Sequence, residues 1–419
     1  MKLKRGKMNM YEPIISSIKK NSYEISGWFE KHLKRIPVPF LASVILKDSG
    51  FKTTVTGVNF FPIGLNHVSK GDLRNAPQLV KKYFKKYHSD IEKLKKILVL
   101  ATVHHSNPFY YAHLFTLIQI LKKSRLKVEL GTLEALETPS KIKTPSKKTL
   151  KIFPVTVEMD RIRVGKFDPD FVLLTDPFTS ELTLKLSNLR QPMNPPHKLF
   201  SFMHKRSEVL NIFNTLAKDF SDLLGIDPWL ISTQFHVDTH VNFDEKSGVE
   251  KVANSTNLLL QALEQKYREY KVNQRPAVQI VNNSGTYGMG MLSIQSTKEL
   301  SDLYFKKKAK RLNGKSQSVL NEVLIQESVP VRPLFNKFVG ETVIYLLGNE
   351  IVGGYIKSYM DKTAKNILSS REFLFQPVAL TRGTSAKVKK QTDKTLGLLY
   401  QNISRLGGLA AGYEIDRIR

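Results

Sequence analysis

The stretch VNNSGTYGMG, Val281–Gly290, follows an apolar run, Ala277–Val281, that reads as a strand. Glycines at 285, 288 and 290 would let the backbone approach phosphate oxygens and turn N–H groups toward them. The spacing matches neither a P-loop nor a dinucleotide-binding fingerprint. A purely structural glycine turn is the alternative.

Three other constellations have suitable side chains. His236, Asp238 and His240 alternate in FHVDTH, so on a strand they would share one face. The types suit a metal, but residues i and i+4 of a straight strand lie roughly 13 Å apart, too far for one ion. A polar sheet face is therefore expected there. His104 and His105, in TVHHSN, follow another apolar run, and could bind a substrate or hydrogen-bond within a loop. Lys52 follows Gly50-Phe51, and Lys357 follows Gly353-Gly354. Each is read as an isolated cation that could clamp a carboxylate or phosphate. In a chain with 65 Lys plus Arg, a solvated role is the default for any one of them.

The chain of 419 residues is long enough for two or three domains. It has no cysteine, which removes disulfides, thiolate zinc sites and cysteine nucleophiles together. The basic N-terminus lacks an apolar h-region, and no apolar run reaches the length of a membrane span, so a cytoplasmic protein is expected. The net charge of +28 would suit nucleic acid or an acidic membrane. However, in KKYFKKYHSDIEKLKKI the lysines fall between apolar residues at helical spacing. Solvated helix faces are the preferred reading, and no recognition motif points to a specific nucleic acid.

Several elements must position these groups. Tyr11–Arg35 reads as one N-terminal helix and Phe40–Leu46 as a strand, with a loop at Asn59–His67. Ile97–Ala101, Phe109–Lys123 and Leu126–Leu130 form a βαβ unit, with Asn107 as helix cap and Pro108 at the first helical position. That unit places Thr102–Asn107 at the carboxyl end of a strand, where open α/β sheets bind ligands. TPSK occurs twice, at Thr138–Lys141 and Thr144–Lys147, and reads as a solvated hairpin or loop. Phe171–Leu174 is a buried strand and Leu210–Leu224 an amphipathic helix. Beyond Gly225–Trp229 come a helix at Leu258–Tyr270, the glycine loop and a helix at Thr297–Lys308. A strand at Val323–Gln326 precedes a hairpin, Thr342–Leu347 with Ile351–Tyr355, turned at Gly348-Asn349. A helix at Lys394–Leu409 closes the chain.

Taken in order, GFK (Gly50–Lys52), NFFPIGLN (Asn59–Asn66), GIDPW (Gly225–Trp229) and KYREY (Lys266–Tyr270) lead to SGTYGMG (Ser284–Gly290), EVLIQESV (Glu322–Val329) and VGGY (Val352–Tyr355). The series resembles the proteobacterial glutamate–cysteine ligase family, over roughly residues 25 to 415. The resemblance implies an α/β fold, with a Rossmann-like pre-ATP-grasp domain followed by an ATP-grasp-like α+β domain. The expected division is an N-terminal helix at 1–36, the first domain at 37–225 and the nucleotide-binding domain at 226–419.

The resemblance also implies ATP and Mg as cofactors, with glutamate and cysteine as substrates. ATP would phosphorylate the γ-carboxylate of glutamate, and the amine of cysteine would displace the phosphate. It assigns Lys52 and Lys357 to catalysis. Ser284, Gly285, Thr286, Tyr287, Gly288, Gly290, Gln326 and Glu327 are assigned to nucleotide binding. Asn59, Asn66, His104 and Asn107 would bind substrate, and Asn366 the metal. The chain departs from the family where charge is expected. A lysine and an aspartate of the family pattern KADAGTYGMG or KADSGTYGMG fall on Val281 and Asn283. ENHTRN falls on Thr102–Asn107, keeping His104 and Asn107 but losing its acid and arginine. VDLRNAGFK falls on Val44–Lys52, with Ile45 for the acid and Lys47 for the arginine. VDTN falls on Thr56–Asn59, with Gly57 for the acid, and NLNAPG on Asn366–Arg371, keeping only its first asparagine. A catalytically degenerate relative acting as a binding or regulatory protein is the alternative reading.

Overall fold

The structure is a computed structural model. It describes residues 10–89, 94–105, 107, 109–199, 205–243, 245–284, 292–299, 322–332, 339–359, 373–381, 383–384, 386, 388 and 394–418.

The βαβ unit forms as expected. Strands Lys96–Leu100 and Lys127–Thr132 run parallel and are joined by helix Phe109–Lys123. Ile97, Leu98, Val99 and Leu100 are all fully buried, as in a parallel strand covered on both faces. They sit in a six-stranded sheet with Phe171–Leu174 and Met193–Asn194 on one side. On the other side lie Thr149–Pro154 and its antiparallel partner Ser140–Lys143. The second TPSK copy turns that hairpin: Thr144 N–H donates to Lys148 O at 2.8 Å, and Lys148 N–H donates to Thr144 Oγ1 at 3.0 Å. The parallel strands gather Thr102, Val103, His104, His105, Asn107, Glu134 and Asp176 at their shared carboxyl end.

An antiparallel five-stranded sheet runs in the order Phe373–Val378, Glu350–Tyr359, Gly340–Leu347, Leu41–Asp48, Thr53–Asn59. It therefore joins segments from either side of residue 225. The expected hairpin is present, with Gly348 at φ +61 in its turn. One face carries Val44 and Leu46 onto the C-terminal helix Lys394–Ile418, which runs past the expected end at Leu409. Contact there is close: a Cβ on Gly407 would lie 3.0 Å from Val44 Cγ1.

A third, antiparallel sheet orders Phe235–Thr239, Glu322–Glu327, Val278–Asn282 and Leu292–Ile294. Helix Lys246–Glu269 covers one face through Val249, Val252, Leu259, Leu260 and Leu263. This helix begins well before the expected Leu258. Only 297–299 of the helix expected at Thr297–Lys308 falls among the described residues.

The single N-terminal helix expected at Tyr11–Arg35 is instead two, Glu12–Lys20 and Ser22–Leu33. Asn21 leaves helical geometry and its amide donates back to Ser17 O at 3.0 Å, closing the first helix. The mixed α/β character expected from the sequence is what the structure has. Among the described residues, no helix is long and apolar enough to cross a membrane.

Candidate functional site

Val44 and Leu46 face the C-terminal helix, so Ile45 and Lys47 point from the opposite face of the five-stranded sheet. Register on that face sets Lys47, Glu341, Lys357 and Phe375 side by side across four strands. The Lys47 side chain is only 9% exposed, and its Nζ lies 3.6 Å from Glu341 Oε1, beyond hydrogen-bond reach. Lys357 Nζ sits 4.2 Å above the Phe373 ring. Among the described residues neither ammonium has a hydrogen-bonded partner.

This row leads to the strand ends of the six-stranded sheet. Phe375 stacks on His67 at 3.6 Å, and both lie against Phe109, the first residue of the helix after the strand end. Burial holds the His67 imidazole down at about 4. Asn66 Nδ2 is 3.3 Å from His67 Nε2, and its buried Oδ1 has no hydrogen-bond partner among the described residues. Asn59 lies further along the second strand, exposed, and donates to Ser43 Oγ at 3.2 Å.

At the strand end itself, Asn107 caps the helix as expected, its Oδ1 accepting from Phe109 N–H at 2.9 Å. His104 is exposed, whereas His105 is engaged. His105 Nδ1 accepts from Asn107 N–H at 3.0 Å, its ring stacks on Tyr110, and Nε2 lies 3.8 Å from Asp176. Thr102 Oγ1 donates to the same Asp176 at 2.5 Å, and Val103 N–H donates to Glu134 at 2.8 Å. The sequence reading missed Asp176 and Glu134. Their only signal was position: each follows a parallel strand at its carboxyl end.

Lys52 is not the isolated cation that the sequence suggested. Its fully buried Nζ donates to Glu327 Oε2 at 2.6 Å and lies 4.5 Å from the Trp229 ring. Burial pushes the Lys52 ammonium below the usual lysine range, while the Glu327 charge opposes that shift. Gln234 N–H also donates to Glu327 Oε2, at 3.3 Å. Gln326 Nε2 points to Thr56 O at a long 3.5 Å. Asp227 is drawn down despite its burial, because Lys266 and Tyr270 both donate to its Oδ2.

On strand Val278–Asn282, Val281 is buried with Leu210 and Leu324, against Phe235 and Val237. Asn283 Oδ1 accepts from Ser207 N–H at 3.0 Å, at the start of helix Arg206–Leu224. Its Nδ2 donates to Ser207 Oγ and to Glu322 Oε2 at 3.0 Å. A bond from Lys205 holds the Glu322 carboxyl below its ordinary range. Ser284 pairs with Lys205 as an isolated bridge, and its N–H donates to Asn282 Oδ1. Gly285, Thr286, Tyr287, Gly288, Gly290 and Asn366 lie outside the described residues.

His236 Nε2 lies 3.3 Å from Asp238 Oδ1, which Ser255 also reaches at 2.9 Å. His240 lies just past the strand with φ +54. Among the described residues, no group of three or more His, Asp or Glu could hold a metal ion.

The model of the family described as glutamate-cysteine ligase (GshA) matches residues 16–415. No curated protein matches the chain. A solved structure from Methylobacillus flagellatus KT, provisionally named gamma-glutamylcysteine synthetase, superposes at TM-score 0.86 with 24% identity, covering 100% of both chains. That likeness shows a shared fold. D-alanyl-alanine synthetase A of Vibrio cholerae matches at TM-score 0.34 with 13% identity, over 74% of this chain and 79% of its own. A glutathione synthetase-like effector of Globodera pallida matches at 0.38 with 13% identity, over 83% and 80%. Those two likenesses are too loose to carry an argument. With the family's model spanning nearly its whole length, the chain belongs to the glutamate-cysteine ligase family.

Proposed function

We propose that the chain is a ligase of the glutamate–cysteine type, joining the γ-carboxylate of glutamate to the amine of cysteine through an acyl phosphate. ATP and magnesium would be its cofactors. The observation that carries this reading is the match of the family's model to residues 16–415, with the row Lys47–Glu341–Lys357 on one sheet face, where neither ammonium has a hydrogen-bonded partner among the described residues.

The described residues at the end of strand Val278–Asn282 do not fit a triphosphate. Val281 is packed among apolar side chains, and the Asn283 amide is already engaged with Ser207 and Glu322. No described residue is assigned to magnesium: no three His, Asp or Glu side chains cluster among them, and such an ion usually takes much of its shell from phosphate and water. Phosphoryl transfer depends on cations around the moving phosphate, and one missing donor lowers turnover by about 100-fold or more. The proposed enzyme is therefore a slow one. Purified protein given Mg-ATP, glutamate and cysteine should release ADP and form dipeptide. Absence of both products would sink the reading.

The packing of Val281 also favours a second reading, a relative that keeps the scaffold and has lost turnover. Glutamate binding without any ADP release would support it, and measurable dipeptide formation would exclude it.

A further inference from the structure

We propose that the amino-terminal edge of the parallel strands binds the phosphate backbone of a double-stranded nucleic acid, without reading its sequence. This edge lies at the other end of the strands from Asp176 and Glu134, roughly 15–20 Å away along five or six residues. The proposal does not rest on the ligase reading.

The fold gathers here cations that the sequence scatters. Strands Lys96–Leu100 and Lys127–Thr132 start side by side, and Lys127 N–H donates to Lys95 O at 2.7 Å. Helix Phe109–Lys123 joins the two strands, so its last turn and the bend that follows bring Lys123 and Arg125 to the same edge. Thr149–Pro154 runs parallel to Lys127–Thr132, which sets Lys147 and Lys148, in the turn before it, there as well. All six cations are exposed, and among the described residues none has an ion-pair partner. The Asp170 carboxylate on this edge is already engaged: its Oδ2 accepts from the N–H groups of Lys95 and Lys96, both at 2.8 Å. A helix C-terminus attracts cations by itself, which accounts for Lys123 but not for those on the strand starts and the hairpin. Arg125 at φ +69 and Lys147 at φ +60 hold left-handed positions where glycine is the unstrained choice.

The make-up of the edge selects among polyanions. Segments 95–97, 121–127 and 144–149, which carry it, hold no exposed aromatic or large apolar side chain. Single strands are held largely by stacking their bases on aromatic rings, and membrane surfaces by burying apolar side chains. A duplex needs neither, because its bases face inward and its phosphates outward. It carries one charge per about 1.7 Å of axis, so even the roughly 10 Å from the strand of Lys96 across to that of Thr149 meets several phosphates. Lysine and arginine contacts of this kind position a duplex and carry no sequence information.

The test is fluorescence anisotropy of a labelled DNA duplex of about 20 base pairs with the full chain, between about 50 and 200 mM salt. Wild type should bind, with log affinity falling against log salt at a slope between about −3 and −5, as several neutralised phosphates require. Lys123→Ala/Lys127→Ala/Lys148→Ala should flatten that slope by about 2 to 3 and weaken binding tenfold or more at about 100 mM salt. Lys123→Arg/Lys127→Arg/Lys148→Arg keeps the charges and should keep the affinity, which guards against a folding defect in the alanine variant. Lys19→Ala/Lys20→Ala/Lys31→Ala removes the same net charge from exposed positions on the N-terminal helices, and should stay within about threefold of wild type. No binding by wild type at the lowest salt would overturn the proposal. So would equal weakening by the two alanine variants, which would assign the binding to the net charge of +28 and not to this edge. Vesicles of phosphatidylcholine with phosphatidylserine that displace the duplex at equal charge would overturn the duplex as partner in favour of a membrane. Neither ATP nor glutamate is present, so the result stands or falls apart from the ligase reading.

Discussion

Lys52 and Glu327 meet at 2.6 Å with both side chains almost wholly shut off from water. They join the turn after the first strand of the five-stranded sheet to the last residue of strand Glu322–Glu327 in the four-stranded sheet. Removing one partner leaves the other buried and uncompensated, so Lys52→Met should cost about 3–5 kcal/mol. Lys52→Met combined with Glu327→Leu should recover most of that loss. Urea titrations of the single and double variants measure both quantities. A double variant as unstable as the sum of the singles would mean that the pair is not the unit that matters.

Asp48 makes a second junction. Its Oδ1 accepts from Tyr11 and Gly50, and its Oδ2 from Tyr400 and Arg332. These residues come from the N-terminal segment, the turn after strand Leu41–Asp48, the C-terminal helix and the chain after strand Glu322–Glu327. Tyr11→Phe and Tyr400→Phe should each cost about 1.5–3 kcal/mol, as for hydrogen bonds to a charged group. Burial, reinforced by the Asp48 charge, raises both phenols well above their ordinary range. A raised folded value means stability is present below the unfolded value near 10 and lost as pH rises above it. Wild type should therefore weaken between about pH 9 and 11 more steeply than either phenylalanine variant. Equal slopes would remove the tyrosines from the alkaline transition.

Much of the architecture was legible because local rules and tertiary packing agree. The βαβ unit, the hairpin at Gly348 and the cap at Asn107 were all readable from apolar periodicity and turn chemistry. The glycines of VGGY were legible as a motif, but their reason is tertiary. Gly353 has φ +152, and a Cβ there would lie 2.6 Å from Val68 Cγ1 and 2.9 Å from Asp72 Cβ. The candidate site was less legible. Lys52 looked free because its partner lies 275 residues away, and no spacing rule connects them. Lys47 and Glu341 became neighbours only through strand register, while the break at Asn21 depends on a side-chain bond that helical periodicity does not reveal.

Restoring the family's acid at position 283 should harm this chain. Asn283 Nδ2 donates to Glu322 Oε2 at 3.0 Å, so Asn283→Asp would set two carboxylates together and discard a buried donor. The expected cost is about 1–3 kcal/mol, and Glu322→Gln in the same chain should recover it. Val281→Lys would place a charge among Leu210, Leu324, Phe235 and Val237, costing several kcal/mol more. Thermal melts read out both changes. A Val281→Lys/Asn283→Asp protein as stable as wild type would show that the strand end still accommodates the family's charges.

Two histidines should make the fold acid-sensitive. Burial pushes His113 down to about 3 and His67 to about 4. His113 is fully enclosed, with Nδ1 accepting from Leu65 N–H at 3.3 Å. In the unfolded chain each takes a proton near pH 6.5, while the folded chain still refuses it. Folded values below the unfolded ones therefore make stability fall as pH drops from about 6.5 toward 4. For His113 the slope is about 1.4 kcal/mol per pH unit, and His67 adds less because water reaches part of its ring. His113→Asn supplies an amide oxygen for the Leu65 N–H but cannot take up a proton in this range. It should start less stable at pH 7, through the smaller side chain, and lose stability more gently on acidification. Urea midpoints at pH 7, 6 and 5 give the two slopes, and parallel slopes would clear His113 of the acid effect.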